Sequence, residues 1–322
     1  MGAYIVTGGA GFIGSHLIDY FASESSGRDL IVVDNLSSGS IRNIEQHLRS
    51  GIVKLVEADL TVFDEKWIKW FKDGEIVFHY AANPEVRVSS IEPRIHFDNN
   101  VVATFNVLEA MRIHDVDRIV FASSSTVYGE PAVIPTPEDY YPLKPISVYG
   151  ASKLASEVLI QSYCSLYGFK ALVLRYANII GARSSHGVIV DFISKLKANP
   201  SVLEILGDGS QRKSYLHVSD AVEATVHLVK HAAWTPGSFE VYNVGNNDWI
   251  TVTEIADIVV EEMGLKNVQY VFKKVTPDGR GWPGDVKLML LDIRKLESSG
   301  WKPTLSSRQA VRRTVRELLG KD

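Results

Sequence analysis

Tyr149 and Lys153 bracket the run Tyr-Gly-Ala-Ser-Lys, which follows Pro142 and Pro145 and opens a helical apolar pattern at Leu154, Ala155, Val158 and Leu159. At i and i+4 the two side chains share one helical face. A phenol with a pKa of ~10 is a poor base at neutral pH, but an ammonium beside it favours the phenolate. Such a pair can take a proton from an alcohol, or return it, while a redox cofactor takes or returns a hydride.

A tyrosine and a lysine one turn apart are common on helix surfaces, so this pair gains its weight from what precedes it. The apolar strand Arg118 to Ala122 runs into Ser123, Ser124, Ser125, Thr126, Val127, Tyr128 and Gly129, a cluster of hydroxyls where a parallel strand empties into a cleft. Far upstream, Thr7 to Gly14 reads TGGAGFIG between an apolar run (Ala3, Tyr4, Ile5, Val6) and a helical pattern from His16 to Phe21. Gly8 suits the tight turn, Gly11 lets the backbone approach a pyrophosphate, and Gly14 lets the helix pack on the strand. The helix N-terminus then offers its N–H groups to phosphate.

A second buried strand, Leu30 to Val33, ends in Asp34. Its position, about twenty residues past the glycines, is where an acid accepts hydrogen bonds from both hydroxyls of an adenosine ribose. Asp34 would also repel a 2′-phosphate, and no arginine stands between it and Arg42 to attract one. The expected cofactor is therefore NAD rather than NADP.

The elements that must position these groups alternate. Short apolar runs near 3–7, 30–34, 53–57, 76–80, 118–123 and 171–176 are separated by amphipathic stretches, a pattern that predicts an α/β fold with a doubly wound parallel (Rossmann) sheet. Ligands gather at the carboxyl ends of such strands. Beyond about residue 178 the pattern loosens around Pro200, the Gly207-Asp208-Gly209 turn and Pro277 to Pro283. The expected division is a dinucleotide-binding domain over 1–177, with returning segments near 215–246, and a smaller substrate lobe over 178–322. A helix at 221–233 and a strand at Val241 to Val244 form the return.

With 322 residues the chain can bury a large core, and a formal charge of −4 without a basic stripe argues against nucleic-acid or anionic-membrane partners. Cys164 is the only cysteine, which excludes an intrachain disulfide and fits a reducing, cytoplasmic setting. No apolar run reaches membrane-spanning length. No His, Asp or Glu cluster shows ligand spacing, so no metal is expected. His217, on a short apolar strand, and His79, at the end of a buried one, read as packed histidines.

Taken together, TGGAGFIGSH at 7–16, DNLSSG at 34–39, Asp59-Leu60, HYAA at 79–82, DNNVVAT at 98–104, SSSTVYG at 123–129, Tyr149 with Lys153, and RYANIIG at 175–181 resemble the extended short-chain dehydrogenase/reductases. Within that family the chain is similar to the nucleotide-sugar epimerases, over nearly its whole length. The resemblance implies Tyr149 as acid/base, Lys153 as the group that lowers its pKa and holds the nicotinamide ribose, and Ser124 as hydrogen-bond partner of the reacting sugar hydroxyl. It implies cofactor contacts from Gly8, Gly11, Phe12, Ile13, Gly14, Asp34, Asn35, Ser38, Gly39, Asp59, Leu60, Ala81, Ala82, Asn99, Ser123 and Tyr176 besides the catalytic pair. For the nucleotide sugar it implies Ser125, Asn178, Val188 and Tyr215.

The second lobe departs from the family pattern. In Gly207-Asp-Gly-Ser-Gln-Arg-Lys-Ser-Tyr215, Lys213 stands at an arginine's place and Ser214 at an aspartate's, while Arg212 can supply the guanidinium. In Arg280-Gly-Trp-Pro-Gly-Asp285, Asp285 is kept, Trp282 occupies an arginine position, and Arg280 is placed to reach the diphosphate. A diphosphate needs positive charge, and arginine's fork gives bidentate contacts that lysine cannot. Met289 would line the sugar end.

The activity implied is interconversion of UDP-glucose and UDP-galactose by an NAD-dependent isomerase, through a transient 4-keto sugar with no net redox change. UDP-N-acetylglucosamine or UDP-glucuronate 4-epimerisation is the alternative, and a non-catalytic NAD-binding sensor the more distant one. A dehydratase would need an acidic pair where Ser125-Thr126 stands. The helices near 99–113 and 150–167 carry apolar residues around much of their circumference, which in this family implies a homodimer.

Overall fold

The structure, a computed structural model, describes residues 2–24 and 27–321. By contact density it divides into two units. The first holds residues up to Val127, Val148–Arg175 and Thr225–Tyr242; the second holds Tyr128–Ser147, Tyr176–Ala224 and the chain from Asn243 onward.

The first unit is built on a sheet whose strands are β1 (Ala3–Thr7), β2 (Leu30–Asp34), β3 (Val53–Glu57), β4 (Gly74–His79), β5 (Arg118–Ser124), β6 (Lys170–Tyr176) and the late strand Phe239–Val244. Across the sheet the order is Phe239–Val244, β6, β5, β4, β1, β2, β3. The pairs β1·β2, β2·β3, β1·β4 and β4·β5 run parallel. Strands covered on both faces are apolar throughout rather than alternating, as in β2, where all five residues of LIVVD are buried. The chain leaves β1 for β2 on one side and returns to β4 on the other, so the order reverses at β1. That switch point is where a doubly wound sheet binds ligand, and it lies at the glycine turn. The expected fold class is the one observed.

Helices Ala103–Ile113 and Val148–Tyr167 seal this sheet, with Val107, Leu108, Met111, Ile160 and Tyr163 packed over Ile5, Val77, Phe121 and Val173. Each such side chain contributes about 1.5–3 kcal/mol by leaving water. The first of the two helices does not start as the sequence suggests. Phe97–Val102 form a π-helical turn before the α-helix begins at Ala103. The wide turn accompanies a buried polar network: the Asn100 carbonyl accepts hydroxyls from Thr104 and Ser156 (3.0 Å for Ser156), and its amide donates to Ser152 Oγ at 2.8 Å. Side chains that compete for a helical carbonyl open the ladder locally.

The second unit packs the helices Val188–Ala198, Val252–Glu262 and Ser307–Leu319 around the parallel pair Val202–Leu206 and Gln269–Lys273, with Phe192, Leu203, Ile205, Ile255, Val259 and Val311 at its centre. The last helix has a capping box from Ser306 and Gln309 and ends on Gly320 in the left-handed conformation.

The division by contact density differs from the expected one in two places. Residues 128–147 belong to the second unit, because Thr136 bonds the backbone of Leu290 and Asp292 at 2.9 Å and Tyr128 Oη donates to Asn243 at 2.7 Å. The return to the first unit spans Thr225–Tyr242, narrower than 215–246, since the strand Tyr215–His217 pairs with Asn178–Ile180 in the second unit. Among the described residues no helix is long and apolar enough to cross a membrane.

Candidate active site

The glycine turn is shaped by contacts no side chain would permit. Gly8 has φ +70°, and a Cβ there would lie 2.6 Å from the Ala81 amide nitrogen; one on Gly14 would lie 2.3 Å from the Gly8 carbonyl oxygen. At Gly11 the crowding is milder: a Cβ would meet one atom, Gly8 O, at 3.1 Å. Gly11 is also the N-cap of the helix Phe12–Ser23 and supplies no side-chain cap. A bare turn leading into a helix N-terminus without a side-chain cap fits a pyrophosphate; Phe12, Ile13 and Gly14 form the helix's first turn.

Asp34, at the end of β2, accepts the Ala10 amide on Oδ2 at 2.9 Å and the Leu36 amide on Oδ1 at 2.8 Å. Burial raises its carboxyl pKa, and the two amides oppose that rise. Asn35 and Ser38 are exposed beside it, and Gly39 lies against the Ala10 backbone. Asp59 accepts Thr61 N at 2.9 Å, Leu60 is buried, and Ala81 and Ala82 are half-buried where β4 ends. Asn99 spends its amide on Ile95 O of its own helix, at 3.0 Å. It is the neighbouring Asn100 that turns into the core, where its Oδ1 accepts the Asn83 amide at 2.8 Å. Tyr176 is buried at the end of β6.

The structure brings Tyr149, Lys153 and Ser124 together. Ser124 Oγ accepts Thr126 N at 3.2 Å and Thr126 Oγ1 at 3.0 Å, which leaves its own proton to donate. Burial pushes the Tyr149 phenol up to about 12, and the Ser124 hydroxyl pulls against it. Lys153 is buried with Nζ donating to Ala122 O at 2.9 Å; burial lowers its pKa to about 7, and Glu157 counters this. The two shifts have one physical cause, a dry pocket that disfavours charge. Ser125 lies half-buried at the start of the turn after β5.

Sequence reasoning missed the groups beneath this pair. Glu157, one turn beyond Lys153, is buried and held by Arg175 through Nε at 3.0 Å and Nη2 at 2.7 Å. The Ser123 hydroxyl donates to Glu157. The i+4 spacing from Lys153 was the available signal. His96 is fully buried and edge-on to Tyr149, with ring centroids 5.8 Å apart. His79 is a satisfied core histidine bridging Thr7 (2.6 Å) and Thr104 (3.0 Å).

In the second unit, Lys213 Nζ lies 2.6 Å from Asp285 Oδ1 and 5.4 Å from the Trp282 ring centroid. Arg280 donates to Asp285 O at 2.6 Å and pairs with Glu130 and Asp278. Tyr215 is buried, its phenol pKa raised by burial and then by the Asp285 charge, and Asn178 donates to Ser214 O at 2.8 Å. Met289 is buried beside Lys213 in paired strands. Arg212 is exposed, over the Trp249 ring, and Val188 opens its helix, half-buried. His217 bonds Ser219 at 2.7 Å and Glu317 at 3.1 Å.

A parallel sheet with a glycine turn at its switch point and a Tyr-Lys-Ser group at the end of β5 defines an NAD-binding fold equipped for proton transfer. Residues 4–245 match the NAD dependent epimerase/dehydratase family, and the chain belongs to that family. It is 32% identical to the UDP-glucose 4-epimerase of Mycolicibacterium smegmatis over 317 residues, covering 97% of this chain and 96% of the relative. A crystal structure of a UDP-galactose 4-epimerase superposes with a TM-score of 0.87 at 48% identity, covering 99% of each chain. The UDP-N-acetylglucosamine 4-epimerase of Methanobrevibacter ruminantium M1, solved with UDP-N-acetylmuramic acid, gives 0.85 at 29% identity, covering 100% of this chain and 99% of that one. The protein is thus an NAD-dependent isomerase of the UDP-sugar 4-epimerase group.

Proposed function

We propose that the substrates are UDP-glucose and UDP-galactose, interconverted at C4. The observation that carries this reading is the buried Lys153, one helical turn from Tyr149 and bonded to Ala122 O beside Ser124 at 2.9 Å, in a chain 48% identical to a UDP-galactose 4-epimerase. Bound NAD supplies the hydride acceptor and donor. Tyr149 takes the O4 proton as the C4 alcohol becomes a ketone and gives it back when the alcohol re-forms on the opposite face. Lys153 favours the phenolate by its charge, and Ser124 orients the hydroxyl. Gly8, Gly11, Gly14 and Asp34 hold the pyrophosphate and ribose of the cofactor. For Asn178, Lys213, Tyr215, Arg280 and Asp285 the proposed role is recognition of the UDP portion, with Arg212, Val188 and Ser125 as further contacts.

A homodimer is proposed through the outward apolar face of the helices Ala103–Ile113 and Val148–Tyr167, on which Phe105, Val158 and Leu166 are 45%, 54% and 73% exposed. A cytoplasmic setting fits the single, buried, free Cys164.

The test is proton NMR of UDP-galactose with the purified protein and NAD. The anomeric signal of UDP-glucose, rising to a fixed ratio and absent with Tyr149→Phe, is the expected result. No conversion of either UDP-hexose, with turnover of an N-acetylated or uronic UDP-sugar instead, would overturn the hexose assignment.

A further inference from the structure

Three consecutive residues at the carboxyl end of β5 each engage the helix Val148–Tyr167, and their partners there are one turn apart. Ala122 O accepts from Lys153 Nζ, the Ser123 hydroxyl donates to Glu157, and the Ser124 hydroxyl favours the Tyr149 phenolate. Two of these helix residues are the proton-transfer pair. The third is a carboxylate with a side chain only 3% exposed, clasped by an Arg175 side chain 5% exposed. A buried ion pair is an inefficient source of stability, because desolvation offsets the attraction and an apolar pair of equal volume does as well. Its distinct property is a charge fixed in place.

We propose that Glu157 is a positioning residue for the Tyr149–Lys153 pair: the fixed counter-charge of the Lys153 ammonium and, through Ser123, the anchor of the strand end that presents Ser124. The inference rests on reading Tyr149 as the proton carrier. Among the described residues, the titratable groups that interact electrostatically with Lys153 are Glu157 on its own helix, His79 on β4 and His96 at the end of the short helix Pro93–His96, with Arg175 on β6 behind Glu157. Glu157 is the one anion among them. Burial, and after it the Lys153 charge, lowers the His79 imidazole to about 3, and burial lowers His96 as well; an imidazole is neutral or cationic, so neither histidine is a counter-charge for the ammonium. Arg175 clasps the Glu157 carboxylate in the dry interior, and Glu157 opposes the burial that drives the proton off Lys153. A charged Lys153 is what brings the phenolate of Tyr149 within reach of neutral pH.

The experiment compares wild type, Glu157→Gln and the double variant Glu157→Gln/Arg175→Gln, all loaded with NAD. The double variant leaves no uncompensated buried ion and serves should the single one fail to fold. The phenolate absorbance of Tyr149, isolated by difference from Tyr149→Phe, is titrated against pH, and kcat and KM are followed over the same range. In both variants the Tyr149 transition moves to higher pH and the alkaline loss of activity, where Lys153 deprotonates, moves to lower pH. Near neutrality kcat falls by about tenfold for each unit by which the phenol rises, with KM little changed. Restoring the anion as Glu157→Asp recovers part of the loss. An unaltered Tyr149 titration with a lowered melting temperature would reduce Glu157 to a structural role and overturn the proposal. Because the titration needs no sugar substrate, a wild type that leaves UDP-galactose unconverted would sink the substrate reading alone.

Discussion

The backbone amide of Ala10 donates to the Asp34 carboxylate at 2.9 Å, so the acid at the end of β2 is also a structural member of the glycine turn after β1. Two functions meet in one carboxylate. It shapes the turn after β1, and its proposed second role is to accept the ribose hydroxyls of NAD.

This dual role gives a pH-dependent affinity. Burial raises the Asp34 pKa above its ordinary 3.8, so ionising it costs the folded protein stability as the pH rises past that range. Hydroxyl donors from the ribose favour the anion. NAD affinity should therefore fall as the pH drops through the raised pKa, and Asp34→Asn should remove that dependence. The same substitution removes the repulsion toward a 2′-phosphate and narrows the preference for NAD over NADP by about tenfold, roughly 1.4 kcal/mol. Calorimetric titration with both cofactors checks it; an unchanged ratio would show that Asp34 does not discriminate between them.

The parts of this site that sequence made legible are those carried by local spacing. The glycine turn, Asp34 and the Tyr149–Lys153 pair each occupy one stretch whose conformation follows from its own residues, and the apolar runs that became β1 to β6 are long enough to state their type. What escaped depends on contacts between distant positions. Glu157 and Arg175 are 18 residues apart and would read singly as surface charge. Thr136 is drawn to Leu290 and Asp292, which no pattern within 128–147 announces. The π-helical turn at Phe97–Val102 follows from hydroxyls at Thr104 and Ser156 competing for one carbonyl, a tertiary cause that periodicity cannot show.

Lys213 illustrates a substitution in type that preserves an ion pair. Its ammonium sits 2.6 Å from Asp285, whose side chain is 2% exposed. Removing the cation by Lys213→Met strands a buried carboxylate and should cost about 3 kcal/mol of stability. Lys213→Arg keeps the charge and should cost less than about 1 kcal/mol. Denaturant unfolding of both variants is the measurement, and equal losses would mean that the pair is not the source of the effect.

The glycines of the turn should separate folding from binding. At Gly11 an added methyl meets only one carbonyl, at 3.1 Å, and φ is −76°, which alanine adopts freely. Gly11→Ala is expected to fold with a melting temperature near wild type and to lose most NAD affinity, because the methyl occupies the pyrophosphate's approach. At Gly14 the methyl would stand 2.3 Å from the backbone oxygen of Gly8. Gly14→Ala should lose both stability and NAD. Melting curves with and without NAD distinguish them; a Gly11→Ala protein that binds NAD as wild type does would place the pyrophosphate elsewhere.

Acid sensitivity of the second unit should centre on Glu317, in the C-terminal helix. Its carboxylate accepts the Ala182 amide at 2.8 Å and pairs with His217 at 3.1 Å and Arg313 at 2.9 Å. Burial works to raise its pKa, but the bonds and charges of His217 and Arg313 prevail and hold it at about 2. A depressed carboxyl pKa contributes stability that is present above the unfolded value of 4.5 and is lost as the pH falls toward 2. With one pKa unit worth about 1.4 kcal/mol and the group partly exposed, the loss across that window should be on the order of 2 kcal/mol. Glu317→Gln keeps an oxygen for the Ala182 amide and abolishes the titration, so its unfolding free energy should be lower than wild type at pH ~6 and should converge on it only below pH ~2. Parallel curves for the two proteins across that range would assign the acid transition to another group.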